Sequence, residues 1–223
     1  ITDMEGPDPD GNGYFEASDI LDLTKNNKAV CPEAGVGSLS VPIPDTSSGG
    51  SYLLKPPGVG SSYPSSGRAA LGNEIVDYTR VDDTITLTAR GVARTEARTH
   101  DIGVTLQPVF HVNMMRVDDV IEILLRDYAK IDPSFIPKAK WAAEIDVWYP
   151  DLMLVTNIAK PTGVTTLLGE LAFLGISLWW DSDLQEIGLK ANAPVTEENI
   201  KDLTDRNDII AAGSEDNDDK RLT

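Results

Sequence analysis

Gly67-Arg68-Ala69-Ala70-Leu71-Gly72-Asn73-Glu74-Ile75-Val76-Asp77-Tyr78-Thr79-Arg80-Val81-Asp82-Asp83-Thr84-Ile85-Thr86-Leu87-Thr88 is the stretch that decides the fold class. From Thr84 to Thr88, threonine and apolar residues alternate strictly, which is the two-residue period of a half-buried strand. Ala69 to Tyr78 alternates more weakly, with Leu71, Ile75, Val76 and Tyr78 as its apolar members. Val81-Asp82-Asp83 supplies the turn formers between them, so the two segments are expected to pair as a hairpin. Downstream, Val104 to Phe110 reads as a further strand, and Pro108 places it at a sheet edge or a bulge.

The period changes at Val117. Val117, Val120, Ile121, Leu124, Leu125 and Tyr128 fall at helical spacing. Asp118 and Asp119 sit in the first turn and Arg126 and Lys130 in the last, the arrangement that suits the helix dipole. Asp132-Pro133 ends this helix. A second is expected over 138–149, with Trp141, Glu144, Ile145 and Trp148 along one side, and a third over 163–174. Leu152 to Ile158 reads as a strand, and 177–181 with 185–189 as a second hairpin. All four tryptophans lie between 141 and 180, so the denser core is expected there, with Trp141, Trp148 and one of Trp179 and Trp180 buried among Leu124, Leu125, Leu168 and Leu171.

Upstream, residues 1–66 are rich in turn formers, as in KPPGVGSS and PIPDTSSGGS. Asp19 to Leu23 fits a helical turn or a strand end, and Ser51 to Leu54 a short strand. The expected class is α+β. A β-rich part, barrel- or sandwich-like, covers residues 1–112 with long loops over 24–66. A small α+β domain with three helices and a hairpin covers 113–195, and 196–223 is an acidic connector toward a further C-terminal region. The loops of 24–66 have little periodicity but carry Val30, Val36, Leu39, Val41, Ile43, Tyr52, Leu53, Leu54, Val59 and Tyr63, which is too apolar for a free linker. They are expected to contribute to contacts with other subunits; folding back onto their own β-rich part is the alternative.

The chain has 223 residues, with 36 acidic against 19 basic side chains and a net charge of -17. Such an acidic chain does not hold nucleic acid by neutralising phosphates, which excludes a sequence-specific DNA or RNA binder. The charge is concentrated at the two ends: residues 1–24 carry seven acids and no base, and 196–223 carry nine acids and four bases. No run approaches the roughly 18 apolar residues of a membrane span, and no basic-plus-apolar leader opens the sequence. Ile1 stands where an initiator Met would, so the chain is expected to be the middle of a longer polypeptide or a matured product. Cys31 is the single cysteine, which rules out an internal disulfide.

Five local patterns could carry chemistry. Asp8-Pro9-Asp10-Gly11-Asn12-Gly13-Tyr14-Phe15-Glu16-Ala17-Ser18-Asp19 fits the 12-residue calcium loop, with Asp8, Asp10, Asn12 and Asp19 as oxygen donors. Its last position is Asp rather than the longer Glu, and Gly6-Pro7 precedes it instead of a helix, so a polar turn between strands is the competing reading. His100 and His111 are the only histidines; neither stands in a nucleophile or zinc motif, and both are expected to be structural. Gly35-Val36-Gly37-Ser38 and Gly58-Val59-Gly60-Ser61 lack the spacing of phosphate loops. Trp179-Trp180 could stack on a sugar, but such pairs more often divide between core and interface. Cys31 lies before Pro32 with no neighbouring base and is no evident nucleophile. No catalytic residue and no resident cofactor is expected.

Read in order, four blocks resemble the tail-tip, or baseplate hub, proteins of long-tailed bacteriophages. The first runs from Gly6-Pro7-Asp8 through Asp19-Ile20-Leu21-Asp22-Leu23 and Ala29-Val30-Cys31-Pro32 to Gly37-Ser38-Leu39. The second is Gly67 to Thr79, including Gly72-Asn73-Glu74-Ile75, and continues through Leu87-Thr88-Ala89-Arg90-Gly91, Thr95, His100 and Gly103. The third is Arg116-Val117-Asp118-Asp119-Val120-Ile121 with Ile131-Asp132-Pro133 and Trp141-Ala142-Ala143-Glu144. The fourth is Pro161-Thr162-Gly163-Val164 with Leu167-Leu168-Gly169-Glu170 and Leu178-Trp179-Trp180-Asp181. Ala93-Arg94 departs from the pattern, where a Leu-Gly pair is common. The resemblance implies a structural, non-enzymatic virion protein. It would form a ring, usually of three subunits, that caps the tail tube, joins fibre or receptor-binding proteins and lets DNA pass. An acidic lumen would repel phosphate rather than bind it. The resemblance also favours the turn over the calcium loop at 6–13. The rival classes are a secreted, calcium-dependent module of dockerin type, which would carry a second copy of the loop, and a glycan-active hydrolase.

Overall fold

The hairpin at the centre of the sequence forms, but it is one of two in tandem. The computed structural model describes residues 3–5, 14–16 and 20–192. In chain order the strands are β1 (Asp3–Glu5), β2 (Tyr14–Glu16), β3 (Val30–Cys31), β4 (Gly37–Leu39), β5 (Ser51–Lys55), β6 (Ser66–Leu71), β7 (Glu74–Val81), β8 (Thr84–Ala89), β9 (Thr105–Pro108), β10 (Phe110–Arg116), β11 (Met153–Ile158), β12 (Thr162–Gly163), β13 (Ile176–Asp181) and β14 (Glu186–Ala191). The α-helices are α1 (Val117–Ile123), α2 (Lys138–Trp148) and α3 (Val164–Ala172). The fold is thus mixed, with a β-rich body and few helices.

β7 and β8 pair as the expected hairpin, with Val81 opposite Thr84, so that Val81 ends the strand and Asp82-Asp83 alone make the turn. Residues 69–78, expected as one strand, are instead broken at Gly72-Asn73, where β6 turns back onto β7. Gly72 takes φ +59. Two-residue hairpins need that left-handed first position, and glycine adopts it without steric cost.

Six strands close a barrel in the order β4-β5-β8-β7-β6-β9, all neighbours antiparallel. Its interior holds Leu39, Leu54, Leu71, Val76, Tyr78, Ile85, Leu87 and Leu106, all buried. Burial of each large aliphatic side chain contributes about 1.5–3 kcal/mol. The expected single strand over 104–110 is two strands. β9 closes the barrel, Pro108 is its last residue rather than part of an edge strand, and after Val109 the chain leaves as β10 to pair with β11.

The segment 24–66 is not a set of arms. It supplies β3, β4 and β5, and Ile43 exchanges both backbone hydrogen bonds with His100, at 2.8 and 3.0 Å. Leu39, Ile43, Tyr52, Leu54, Val59 and Tyr63 pack into the barrel of their own chain. The expectation that these residues seek a neighbouring subunit is therefore corrected for the buried ones. Val36, Val41 and Leu53 remain exposed.

A second core lies around α1, α2, α3 and the β10–β11 and β13–β14 ribbons. α1 begins where β10 ends, with Asp118 and Asp119 in its first turn, and continues as a wider turn over Leu124–Tyr128 in which Ala129 N donates to Leu124 O. Lys130 at φ 59 and the Asp132 side chain, which accepts from Ser134 N at 2.8 Å, stop it. Ala29 and Cys31 belong to this core rather than to the barrel, because β3 pairs with β12 at the start of α3. Both cores lie within one compact unit, residues 1–191. Of the tryptophans, Trp141 is fully buried, Trp180 is half-buried against Phe135, Trp148 is half-buried outside the core, and Trp179 is exposed. The expectation of a buried Trp148 is corrected: α2 turns only Trp141 and Ile145 fully inward. The acidic stretch 196–223 and the turn expected at 6–13 lie outside the described residues, but the strands on either side of that turn, β1 and β2, pair antiparallel with Met4 opposite Phe15.

Candidate functional site

Glu74 opens β7 in phase with Val76 and Tyr78, so the alternation that buries those two buries a carboxylate as well. It has no accessible surface. Arg90 grips it with two bonds, Nε to Oε1 at 2.6 Å and Nη2 to Oε2 at 2.8 Å. Gly91 N donates to Oε1 at 3.1 Å, Arg98 N to Oε2 at 3.0 Å and His100 Nε2 to Oε2 at 2.7 Å. An ionised carboxylate only accepts, so His100 carries its proton on Nε2 here. Arg90 also donates to the carbonyls of Asp45, Ser47 and Arg98. Thr95 Oγ1 accepts from Ile75 N at 2.9 Å beside them. Burial pushes the Glu74 carboxyl up, but bonds from Arg90, Arg98 N, His100 and Gly91 N outweigh it and bring it down to about 2. Five donors occupy this carboxylate, which leaves it no free lone pair aimed at a substrate. The cluster is a lock: it ties the loop 90–103 and the segment 43–47 to the start of β7.

A second polar cluster sits at the seam between the cores. Arg68 on β6 holds Asp77 on β7 through Nε at 2.7 Å and Nη2 at 3.2 Å. Its Nη1 reaches across to His111 Nδ1 at 3.0 Å on β10 and Asn157 Oδ1 at 2.9 Å on β11. Val109 N, at the crossing point, donates to Arg68 O at 3.0 Å. Beside the seam opens a cleft of about 450 Å³ lined by Glu33, Tyr63, Arg68, Tyr78, Asp127 and Tyr128 among others. The Tyr63 hydroxyl is committed, accepting from Gly37 N at 2.7 Å and donating to Leu106 O at 2.8 Å. Cys31 lies behind Tyr128, and burial pushes its thiol up to about 12, so it stays protonated and is no nucleophile.

A third network joins α1 to α2. Asp118 is fully buried, with Arg116 Nε at 3.0 Å and Lys138 Nζ at 3.0 Å, and Lys138 also lies 2.6 Å from Asp119. Burial pushes the Asp118 carboxyl up, and the two cations more than reverse this.

The two Gly-Val-Gly triplets have a shared explanation. Both present backbone amides, as phosphate loops do, but to side chains of their own chain. Gly58 N and Gly60 N donate to the Asp83 carboxylate at 2.6 and 2.7 Å, while Gly35 N donates to Gln107 Oε1 at 2.8 Å. Gly60 is there for close approach: a Cβ on it would stand 1.9 Å from Asp82 O. Gly60→Ala should therefore open the Asp83 clamp and lower stability by roughly 2–3 kcal/mol, read as a fall in the urea midpoint at unchanged slope.

Asp8, Asp10, Asn12 and Asp19, the candidate calcium donors, lie outside the described residues, and among the described residues no group of His, Cys, Asp and Glu is placed to hold a metal. Trp180 and Trp179 divide between core and surface; the exposed Trp179 ring lies over Gly188 on the partner strand. His111 and His100 are both fixed by hydrogen bonds, with opposite roles. Asp77, Asn157 and the Asp118–Lys138 pair went unremarked in the sequence. Only Glu74 left a signal there, as an acid in phase with buried residues. Among the described residues no helix is long and apolar enough to cross a membrane. No family model, curated protein or solved structure matches the chain.

Proposed function

We propose that this chain is a structural subunit of the tail tip of a long-tailed bacteriophage, present in several copies, most simply three, in a ring that caps the tail tube. In that role it joins the tube to fibre or receptor-binding proteins and forms part of the conduit for DNA. One observation carries the proposal. The residues of the second block that resemble the phage pattern, Glu74, Arg90, Gly91, Thr95 and His100, are scattered over 27 positions of sequence and converge on one buried carboxylate and its neighbour. The pattern thus coincides with the residues that lock this barrel, which supports reading it as a feature of the fold. The net charge of -17 supports a conduit, since an acidic wall repels a passing phosphate backbone. The barrel and the second core are taken as two domains of the subunit, the division expected from the change of period at 113–116.

Electron cryomicroscopy of purified particles, with the chain traced at the tail end, is the direct test. In solution, light scattering should return about three times the 24.1 kDa of one chain. A chain absent from the particle, or present there as a single copy, would overturn the proposal.

A further inference from the structure

We infer that Arg68 and His111 form a pH-sensitive clasp between the barrel and the β10–β11 ribbon, closed when the imidazole is neutral and released when it is protonated. The inference is independent of the tail-tip proposal. A guanidinium has only donors, so the Arg68 Nη1 contact at 3.0 Å requires His111 Nδ1 to be the unprotonated, accepting nitrogen. Protonation places a hydrogen on that atom. The bond is then lost, and two cations face each other at hydrogen-bond distance. Histidine is the side chain whose charge changes between about pH 5 and 8.

Asp77, the anion on the same guanidinium, is already held by Nε and Nη2, and Asn157 from β11 is neutral. Glu33 and Asp127 are the charged groups across the adjoining cleft. The position matters because Arg68 holds the crossing twice, through its side chain to β10 and β11 and through its carbonyl to Val109 N, where the chain leaves the barrel. His100 supplies an internal contrast. It donates to a carboxylate, so a second proton on its ring leaves that bond in place and strengthens it.

Hydrogen exchange of the intact protein, read by mass spectrometry at about pH 7.5 and 5.5 and corrected for the intrinsic rate, tests the clasp. Peptides over 108–113 and 155–158 should lose about tenfold in protection at the lower pH, the factor set by one hydrogen bond to a charged group. A peptide over β8, inside the barrel, should not change. His111→Gln, whose amide oxygen accepts at every pH, should abolish the difference. Unchanged protection in the wild type, an equal loss in β8, or the same pH dependence in His111→Gln would each overturn the inference. Imidazole ¹⁵N shifts of the wild-type protein give a check that needs no variant. At about pH 7.5 Nδ1 should resonate as the bare nitrogen, and a protonated Nδ1 would overturn the clasp equally.

Discussion

Glu74→Gln is expected to lower the stability of the fold by roughly 3–5 kcal/mol, the cost of removing one partner from a buried ion pair. The substitution keeps the size of the side chain but removes its charge. Arg90, whose side chain is 3% exposed, then holds a positive charge in the barrel wall with no carboxylate bonded to it. An amide nitrogen would also face donors where an acceptor is required, so either Gly91 N or the pair Arg98 N and His100 Nε2 loses its acceptor. The loop 90–103 and the Ile43–His100 bridge should loosen first, because they are tied to the barrel through this carboxylate. Urea unfolding measures the loss. Replacing Arg90 as well should recover part of it, since the stranded charge goes too, and the double variant should therefore cost less than the sum of the singles. If Glu74→Gln costs less than about 1 kcal/mol, the lock contributes little and its carboxylate has some other use.

The same carboxylate makes a pH prediction with a definite sign. Its folded-state value of about 2 lies below the ordinary 4.5 of an unfolded glutamate, so its contribution is complete above that ordinary value. It is lost as pH falls from there through the folded value. The wild type should thus be destabilised by acid in that window more steeply than Glu74→Gln.

How much of this was legible depends on how far each element announces itself locally. Thr84 to Thr88 alternates through its whole length, and β7–β8 was readable with its turn. Val117 to Tyr128 shows its apolar stripe over three turns, and α1 with its wider continuation was readable too. Gly72-Asn73 was as clear a turn signal as Asp82-Asp83, but the apolar residues on both sides, Leu71 and Ile75, let the break pass for a continuous strand. Ser51 to Leu54 was readable as a short strand and is β5, but β3 and β4 were not legible, because they bury only one or two residues each. Two residues define no period, and what makes them strands is pairing with β12 and β9 far along the chain. The polar clusters follow the same rule. Glu74 betrays itself by its phase within β7, whereas Arg68, His111 and Asn157 meet across 89 positions of sequence, and only closure of the fold brings them together.

Trp141→Ala is expected to cost about 4–5 kcal/mol, at the upper end of the range for a buried tryptophan. The indole is 1% exposed and lies between α2 and β14, the central contact of the second core. Two losses add. The first is the apolar surface, with a cavity that the helix cannot close, because Lys140 and Glu144 on either side of Trp141 are pinned to Glu186 and Lys190 of β14. The second is the bond from the indole N–H to Ile187 O, at 2.8 Å, whose removal leaves a buried carbonyl without its donor. Trp141→Phe separates them: most of the surface returns but the donor does not, and the cost should fall to roughly 1–3 kcal/mol. The other tryptophans are the control. Trp179, at 44% exposed, should lose only about 1 kcal/mol on truncation, since its ring has one face in water and the other over Gly188. Four tryptophans crowded into forty residues thus do different work, and only Trp141 combines full burial with a committed N–H. Equal costs for Trp141→Ala and Trp179→Ala in urea unfolding would show that the second core is not built around α2.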